Sequence, residues 1–210
     1  MFVSTRAFSV EGPEARGRRT PMALLPIVTL GDPFLREPSR EVMVEDLPSM
    51  QPFIDDLVET MVHANGAGLA APQVGHGVRI CAIWVKDNPR YPYKPNWPLT
   101  ILVNPVLTPL SPETFVNYEG CLSVPNLRGE VERFAEIRVD ALDRTGKPVG
   151  YEVRGLTAGT FQHECDHLDG LVFVDRVFNT KSLATWAEFE KHHMEKFATR
   201  ARAIVAKWGS

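Results

Sequence analysis

The pentapeptide His163-Glu164-Cys165-Asp166-His167 constrains the fold of this chain more than any other segment. Side chains four residues apart project from the same face of an α-helix, so His163 and His167 can reach one ion when this segment is helical. Glu164 would then lie next to the ion without having to bind it, where it could accept a proton from water. The segment therefore predicts a helix that carries a hydrolytic metal site.

A site of this kind normally has three protein ligands and one open position for water, so a third ligand is needed. After His167, no acidic residue lies at the spacing that the extended zinc-peptidase patterns require. Upstream, Cys121 lies in the segment Glu119-Gly120-Cys121-Leu122-Ser123-Val124-Pro125. The glycine before the thiol allows the backbone to approach an ion or a substrate closely. A thiolate from Cys121 is therefore the better candidate.

A third segment, GAGLAAPQVG over residues 66–75, follows an amphipathic stretch. Its small residues would let a bound peptide backbone lie close to the chain, and Gln73 would supply a neutral hydrogen-bond donor. Taken alone, the segment is equally typical of a glycine-containing helix stop and turn.

The three segments GAGLAAPQVG, EGCLSVP and QHECDHLDG, in this order and with these separations, resemble the three motifs of the peptide deformylase family. The similarity in layout covers residues 24 to 180, which is most of the chain. It implies a metal-dependent hydrolase that removes the N-formyl group from the N-terminal formylmethionine of newly synthesised proteins and releases formate.

The resemblance also implies a role for each matching position. The implied metal ligands are Cys121, His163 and His167. The implied catalytic groups are Glu164 as the general base, with Gln73 and the backbone amide of Leu122 as the oxyanion hole. Gly68 and Gly120 are implied to contact the substrate backbone. Glu119 and Leu122 are implied to border the pocket for the methionine side chain, and Arg128 to face the peptide beyond that pocket.

The choice of metal and two rival functions remain open from the residues alone. One thiolate and two imidazoles suit Zn, Fe(II), Ni or Co, while the resemblance implies Fe(II) in the cell. A metallopeptidase could use the same helix motif, but it would be expected to supply His or Glu as third ligand. A structural zinc module would need a fourth Cys or His, and none lies near these motifs.

Composition limits the partners of the chain. The formal charge of −3 gives no basic field for a phosphate backbone, so no direct nucleic-acid site is predicted. No run approaches about eighteen consecutive apolar residues, so no membrane partner is predicted. Three cysteines do not suggest a disulfide framework and favour a reducing compartment. The predicted location is the cytoplasm of a bacterium, with an organelle as the alternative.

The chain is predicted to contain a leader and one catalytic domain. Residues 1–22 carry four arginines among Ser, Thr, Gly and Pro with little hydrophobic periodicity, which predicts a flexible leader. A transit peptide is the alternative, although Glu11 and Glu14 are out of character for one. Residues 23–210 are predicted to form a single domain.

Hydrophobic periodicity predicts the main elements of this domain. Apolar residues recur at helical spacing between Leu47 and Ala64, with Ser49 placed to cap the helix and Gly66 to stop it. Strands are predicted over residues 78–85, 100–103 and 137–142 and through residue 153, a surface loop over 86–98, and helices over 156–168 and 182–207. The resemblance implies an α+β fold, with antiparallel or mixed sheets around the metal-bearing helix and a C-terminal helix.

The last predicted helix allows two interpretations. It is moderately basic, and some members of the family dock on ribosomes through a C-terminal helix, which predicts a transient ribosome contact. Its apolar spacing is also what a helix packed on its own domain would show.

Overall fold

The structure is a computed structural model that describes residues 23–88 and 92–210. The predicted leader over residues 1–22 lies outside the described residues. Within the described residues, no helix has both the length and the apolar character needed to cross a bilayer.

The described residues form four α-helices and eight β-strands, joined in places by short 3-10 turns. The helices are α1 (Leu47–His63), α2 (Gly155–Leu168), α3 (Trp186–His192) and α4 (Met194–Trp208). The strands are β1 (Gly68–Ala70), β2 (Ile80–Val85), β3 (Trp97–Pro109), β4 (Thr114–Cys121), β5 (Val124–Phe134), β6 (Glu136–Leu142), β7 (Pro148–Arg154) and β8 (Ala184–Thr185).

The strands form two antiparallel sheets, which confirms the α+β prediction. One sheet has the strand order β1-β2-β3-β6-β7 and the other has the order β4-β5-β8. Side-chain direction alternates as a half-buried sheet requires. Ile137 and Val139 of β6 are buried, while Arg138 is half-buried and Asp140 is exposed. The long hairpin of β4 and β5 was not predicted from the sequence, and β3 extends well beyond the predicted residues 100–103.

Helix α1 forms because its apolar residues share one face. Ile54, Leu57 and Met61 are fully buried against the five-stranded sheet, at the spacing that the sequence shows. The prediction that Ser49 caps this helix is wrong. The helix begins at Leu47, and the Ser49 hydroxyl donates to the Asp46 carbonyl from within the first turn.

Helix α2 lies between the two sheets and is buried on nearly all sides. Every residue of α2 other than His163 is buried, and Phe161 packs in a cluster with residues of β2, β3, β6 and β7. A helix that must carry polar groups in such a position requires internal partners for each of them. The pentapeptide that contains His163 and His167 is on this helix, so its polar residues are held in the interior of the fold.

The single helix predicted over residues 182–207 is wrong. The segment contains a short strand and two helices, which meet at His193, where φ is −124° and ψ is −24°. Neither glycine nor proline marks this break, and apolar residues continue at helical spacing across it. Phe189 of α3 and Phe197 of α4 are both buried in one cluster with Tyr118, so tertiary packing decides the break.

Residues after α4 return to the start of α2. The Leu156 N–H donates to the carbonyl oxygen of Ser210 at 3.0 Å, although the residue before α2, Arg154, provides no side-chain cap. This contact satisfies one of the N–H groups that a helix leaves without a partner at its start. Gly155 has φ of +50°, and a Cβ atom there would lie 1.9 Å from the Ser210 oxygen. Only glycine allows this approach.

Replacing Gly155 with alanine should therefore lower the free energy of unfolding by about 3 kcal/mol, because the new methyl group would force the Ser210 carbonyl away from α2. The matched control is Gly209→Ala, where φ is +74° but nothing lies within 4 Å of the added Cβ. That variant should lose only about 1 kcal/mol, from left-handed strain. Urea unfolding of both proteins measures the difference, and equal losses would contradict the role of the Ser210 contact.

Candidate active site

Cys121, His163 and His167 come together in the structure. Cys121 is the last residue of β4, and the two histidines lie one turn apart on α2. One ligand atom from each residue lies within 4.8 Å of the other two, and no further group of three such residues occurs among residues 23–88 and 92–210. The Cys121 Sγ atom is 3.2 Å from His167 Nε2. The three predicted metal ligands therefore converge on one point.

The turn between β4 and β5 presents the sulfur atom. Cys121 pairs with Val124, which leaves Leu122 and Ser123 as a two-residue turn. The Ser123 N–H and the Gln73 side-chain Nε2 both donate to the Cys121 Sγ atom, at 3.3 Å each. Donors directed at sulfur stabilise its negative charge, so the turn favours a thiolate, which is the form that binds metals.

The charges of the three residues are interdependent. Burial alone would raise the pKa of the Cys121 thiol, but the nearby His167 and the hydrogen bonds from both histidines hold this pKa well below its usual value. Burial would lower the pKa of His163, but its hydrogen bonds to Cys121 and Glu119 raise it well above the usual value. The pair thus favours a thiolate beside an imidazolium, and a divalent cation would replace the imidazolium proton.

A buried carboxylate orients His163. The Nδ1 atom of His163 lies 2.9 Å from Glu119 Oε2, so the ring directs Nε2 towards the cluster. Arg133 donates to both Glu119 oxygens, at 2.8 and 2.9 Å, and to Asp166 Oδ2 at 2.6 Å. Arg176 donates to the other Asp166 oxygen at 2.7 Å. One continuous chain of charges therefore joins the β4-β5 hairpin to α2.

These charges are compensated within the interior. Burial would raise the pKa of Glu119, but the Arg133 guanidinium holds it well below its usual value, so Glu119 stays ionised. The side chains of Arg133 and Glu119 are only 3% and 4% exposed. Buried ions are tolerated when each is paired and hydrogen-bonded, as they are here.

Glu164 lies close to the cluster and keeps one oxygen without a protein partner. Its side chain is buried, and Oε2 accepts no hydrogen bond from the described residues. Burial is the main cause that raises its pKa above the usual value. A Cβ atom on Gly68 would lie 2.3 Å from Glu164 Oε1, so the glycine makes room for this carboxyl group. A carboxyl group with a raised pKa accepts a proton more readily, as a group that takes up and returns a proton requires.

Gln73 is fixed by hydrogen bonds at both ends of its amide. Its Oε1 accepts from the Ala70 N–H at 2.8 Å, and its Nε2 donates to Ser123 Oγ at 3.1 Å as well as to the Cys121 sulfur atom. The orientation of the amide is therefore determined, with its donor group on the side of the cluster.

The other predicted residues border the same cavity. Leu122 is half-buried and packs near Gly66, whose added Cβ would lie 3.0 Å from the Leu122 Cδ1 atom. Arg128 is 2% exposed, with its guanidinium carbon 4.2 Å from the centre of the Trp186 ring. A Cβ atom on Gly120 would lie 2.8 Å from the Nε atom of Arg128. The glycine thus accommodates this arginine, in addition to any contact with a ligand.

Sequence reasoning missed the groups that support the cluster. Asp166 lies between the two histidines of the motif. Its place on a buried helix could have indicated that its carboxylate needs a positively charged partner. Arg133 and Ser123 carry no local signal, because their importance depends on which strand and which turn lie next to α2. Lys94, from the proline-rich loop, also borders the cavity and was not predicted to do so.

Comparison with known proteins gives consistent matches. Residues 24–182 match the sequence profile described as Polypeptide deformylase. Peptide deformylase 1 of Nitrosomonas europaea is 41% identical over 152 residues, which are 72% of this chain and 86% of that protein. Peptide deformylase 1 of Bordetella pertussis is 45% identical over 151 residues, with the same coverage of 72% and 86%.

Solved structures of similar fold carry matching descriptions. The Met-Ala-Ser-bound class I type b peptide deformylase of Acinetobacter baumannii has a TM-score of 0.72 and 36% identity, covering 74% of this chain and 99% of that chain. The peptide deformylase of Synechococcus elongatus in complex with actinonin has a TM-score of 0.67 and 30% identity, covering 98% of this chain and 95% of that chain.

The buried charge chain gives a stability prediction. Arg133→Met should lower the free energy of unfolding by about 3 to 5 kcal/mol, because it leaves two buried carboxylates without their shared counter-charge. The matched control is Arg138→Met, whose partner Asp140 is 58% exposed. That variant should lose at most about 0.5 kcal/mol. Urea unfolding of the metal-free proteins gives both values, and a loss near zero for Arg133→Met would refute the proposed dependence.

Proposed function

Because this chain belongs to the peptide deformylase family, we propose that Cys121, His163 and His167 hold its divalent metal ion and that Glu164 is the catalytic base. The chain is a hydrolase that removes the N-formyl group from nascent peptides by cleaving a linear amide bond. The observation that supports the residue assignment is the convergence of three ligand atoms from two elements within 4.8 Å.

The residues of the cluster suit a divalent ion. The Cys121 thiol has a depressed pKa, and the ring of His163 is oriented by Glu119 through Nδ1, so its Nε2 is directed at the cluster. Glu164 lies nearby with Oε2 accepting no hydrogen bond from the described residues. A bound divalent ion would lower the pKa of water and polarise the formyl oxygen. This ligand set accommodates Zn, Ni or Co, and we propose Fe(II) in the cell.

Glu164 moves the proton in the proposed reaction. It takes a proton from the water molecule whose oxygen forms a bond to the formyl carbon. The bond between that carbon and the methionine nitrogen then breaks, and Glu164 returns the proton to the departing nitrogen. The products are formate and a peptide with an unblocked amino terminus. Burial raises the pKa of Glu164, and this suits the exchange because it makes the carboxyl group a better proton acceptor.

Gln73 and the turn residue Leu122 would stabilise the developing negative charge on the formyl oxygen. The amide of Gln73 is held by its bonds to Ala70 and Ser123 before substrate arrives. A donor of this type contributes about 3 kcal/mol in the transition state. The N–H of Gln73 that donates to the Cys121 sulfur atom at 3.3 Å would turn to the formyl oxygen, while the other stays on Ser123. We assign the Leu122 N–H to the same role.

Substrate would bind along the cavity that borders the cluster. We propose that Gly68 and Gly120 let the peptide backbone approach, and that Glu119 and Arg128 border its side chains. All four residues line one cavity with Glu164. The Acinetobacter baumannii protein binds Met-Ala-Ser. Because that peptide is the product expected from formyl-Met-Ala-Ser, the formylated peptide is a suitable test substrate for this chain.

The two rival functions lose support. A metallopeptidase would be expected to use His or Glu as third ligand, whereas Cys121 lies 3.2 Å from His167. A structural zinc module needs a closed site of four ligands, and the cluster in the described part of the chain contains three. The relatives named above are peptide deformylases.

Glu164→Gln should lower kcat for formate release from formyl-Met-Ala-Ser by about 100-fold to 10,000-fold, because the amide cannot take up the proton. The metal content should match that of the parent protein. The matched control, Glu190→Gln, changes an exposed residue of α3 and should leave kcat unaltered. If the Glu164→Gln protein kept its metal and released formate with the kcat of the parent protein, Glu164 would not be the catalytic base.

The partner and the location follow from the substrate. Nascent formylated chains emerge from ribosomes, so we propose that the chain acts in the bacterial cytoplasm and contacts the ribosome transiently through α4. Phe197, Ala201 and Ile204 are buried against the domain itself, so the apolar face of α4 is already used. Lys196 and Arg202 are exposed basic groups of α4 that can face an anionic partner, whereas the exposed Lys207 is paired with Glu113 at 3.1 Å.

Lys196→Glu combined with Arg202→Glu should weaken cosedimentation with ribosomes on the order of tenfold at low salt, since charge attraction would be replaced by repulsion. Formyl-Met-Ala-Ser turnover should stay at the parental value. The control pair Arg40→Glu and Lys86→Glu makes the same charge change on another exposed surface. Equal cosedimentation of both double variants would contradict a ribosome contact through α4.

A further inference from the structure

The cavity beside the metal cluster continues along α2 and ends at polar groups. Gly159 and Thr160 lie four residues before His163 and Glu164, and all four residues border the cavity. Four residues of α-helix correspond to about 6 Å along the axis. The cavity therefore extends by about this length from the cluster, which approximates the reach of an unbranched four-atom side chain.

Lys94 and Thr160 form the far end of this cavity. The Lys94 Nζ atom donates to Thr160 Oγ1 at 2.9 Å, and the Thr160 hydroxyl donates in turn to the Leu156 carbonyl at 3.1 Å. Lys94 is half-buried, and it reaches α2 from the loop between β2 and β3. An ammonium group is therefore held over the end of the cavity by a fixed hydrogen bond.

The remaining wall is partly polar, although Ala67, Tyr93 and Tyr118 also border the cavity. Asn117 borders the cavity and donates to Glu119 Oε1 at 3.2 Å. A Cβ atom on Gly159 would lie 3.2 Å from Phe115 Cζ and 3.4 Å from Asn117 Nδ2, and the glycine adds no side chain of its own to the wall. The negative charge of Glu119 is compensated by Arg133. The Lys94 ammonium group lies at this end of the cavity, one helical turn from the Glu164 carboxyl group, and its N–H donors favour an oxygen atom over a hydrocarbon.

An unoxidised methionine side chain offers no oxygen to this cation, because a thioether sulfur is a weak acceptor. Oxidation to the sulfoxide places a polar oxygen near the end of the same side chain. In a half-buried position, a hydrogen bond from a charged donor to that oxygen is stronger than one made in water.

Building on the proposed function, we propose that Lys94 and Thr160 bind an oxygen atom at the end of the substrate's first side chain, so that N-formylmethionine sulfoxide peptides are also substrates. The bond that is cleaved is the same formyl amide, and no redox step is involved. Lys94 acts in substrate selection, at a distance of one helical turn from the groups that move protons.

The test compares formyl-Met-Ala-Ser with the two sulfoxide epimers of the same peptide on metal-loaded protein. The parent protein should cleave at least one epimer with kcat/KM within about tenfold of the thioether peptide. Lys94→Met should lower kcat/KM for that epimer at least about tenfold more than for the thioether peptide. Lys94→Arg should keep most of the preference, because it preserves the positive charge.

Binding of the product provides a second measurement that does not depend on turnover. Lys94→Met should raise the dissociation constant of Met-sulfoxide-Ala-Ser about tenfold more than it raises the dissociation constant of Met-Ala-Ser. The matched control is Lys86→Met, an exposed lysine at the start of the same loop, which should alter neither peptide.

Two results would overturn the inference. One is discrimination of more than about 100-fold by the parent protein against both epimers. The other is an equal loss for thioether and sulfoxide peptides in Lys94→Met, which would show a structural role alone. Failure to cleave formyl-Met-Ala-Ser would instead count against the proposed function, so the two failures are distinguishable.

Discussion

The hydrogen bond between His163 and Glu119, with Arg133 behind it, is the interaction on which the candidate site depends. The histidine belongs to α2 and the carboxylate to β4, so this contact joins two elements that are far apart in the sequence. Arg133 bridges Glu119 to Asp166 on α2, which closes the connection from the hairpin to the helix. A buried charge chain has strict geometric requirements, since any shift leaves an ion without its partner. It therefore fixes the relative position of sulfur and imidazoles.

The site also depends on glycine at positions where a larger residue would not fit. Gly68 makes room for the Glu164 carboxyl group, and Gly120 makes room for Arg128. In both cases a methyl group would overlap a charged or acidic side chain, so these glycines position protein groups as well as leaving space for a peptide. Their conformations do not require positive φ, which means that close approach is the reason for glycine at both positions. Gly159 likewise adds no side chain beside the cavity, where a Cβ atom would lie 3.2 Å from Phe115 Cζ and 3.4 Å from Asn117 Nδ2.

Much of the fold and the cluster could be predicted from the sequence. The four-residue spacing of His163 and His167 requires only a helix to place both rings on one face, and the helical pattern around them is a local property. Helix α1 was predicted because its apolar spacing is regular, and the three motifs together identified the family. The errors lie where local signals are weak. Ser49 satisfies the local rule for a helix cap, yet proline tolerance in the first turn lets the helix begin at Leu47.

The sequence by itself determined which residues could bind a metal ion and which helix would carry two of them, since periodicity and residue chemistry are encoded locally. Only the tertiary structure decided that Cys121 meets these histidines, that Arg133 compensates Glu119, and that Lys94 lies over Thr160. It also decided the break at His193, where Phe189 and Phe197 must both reach one core. The physical reason is the same throughout: contacts between distant segments depend on how sheets and helices pack, and no spacing within one segment specifies them.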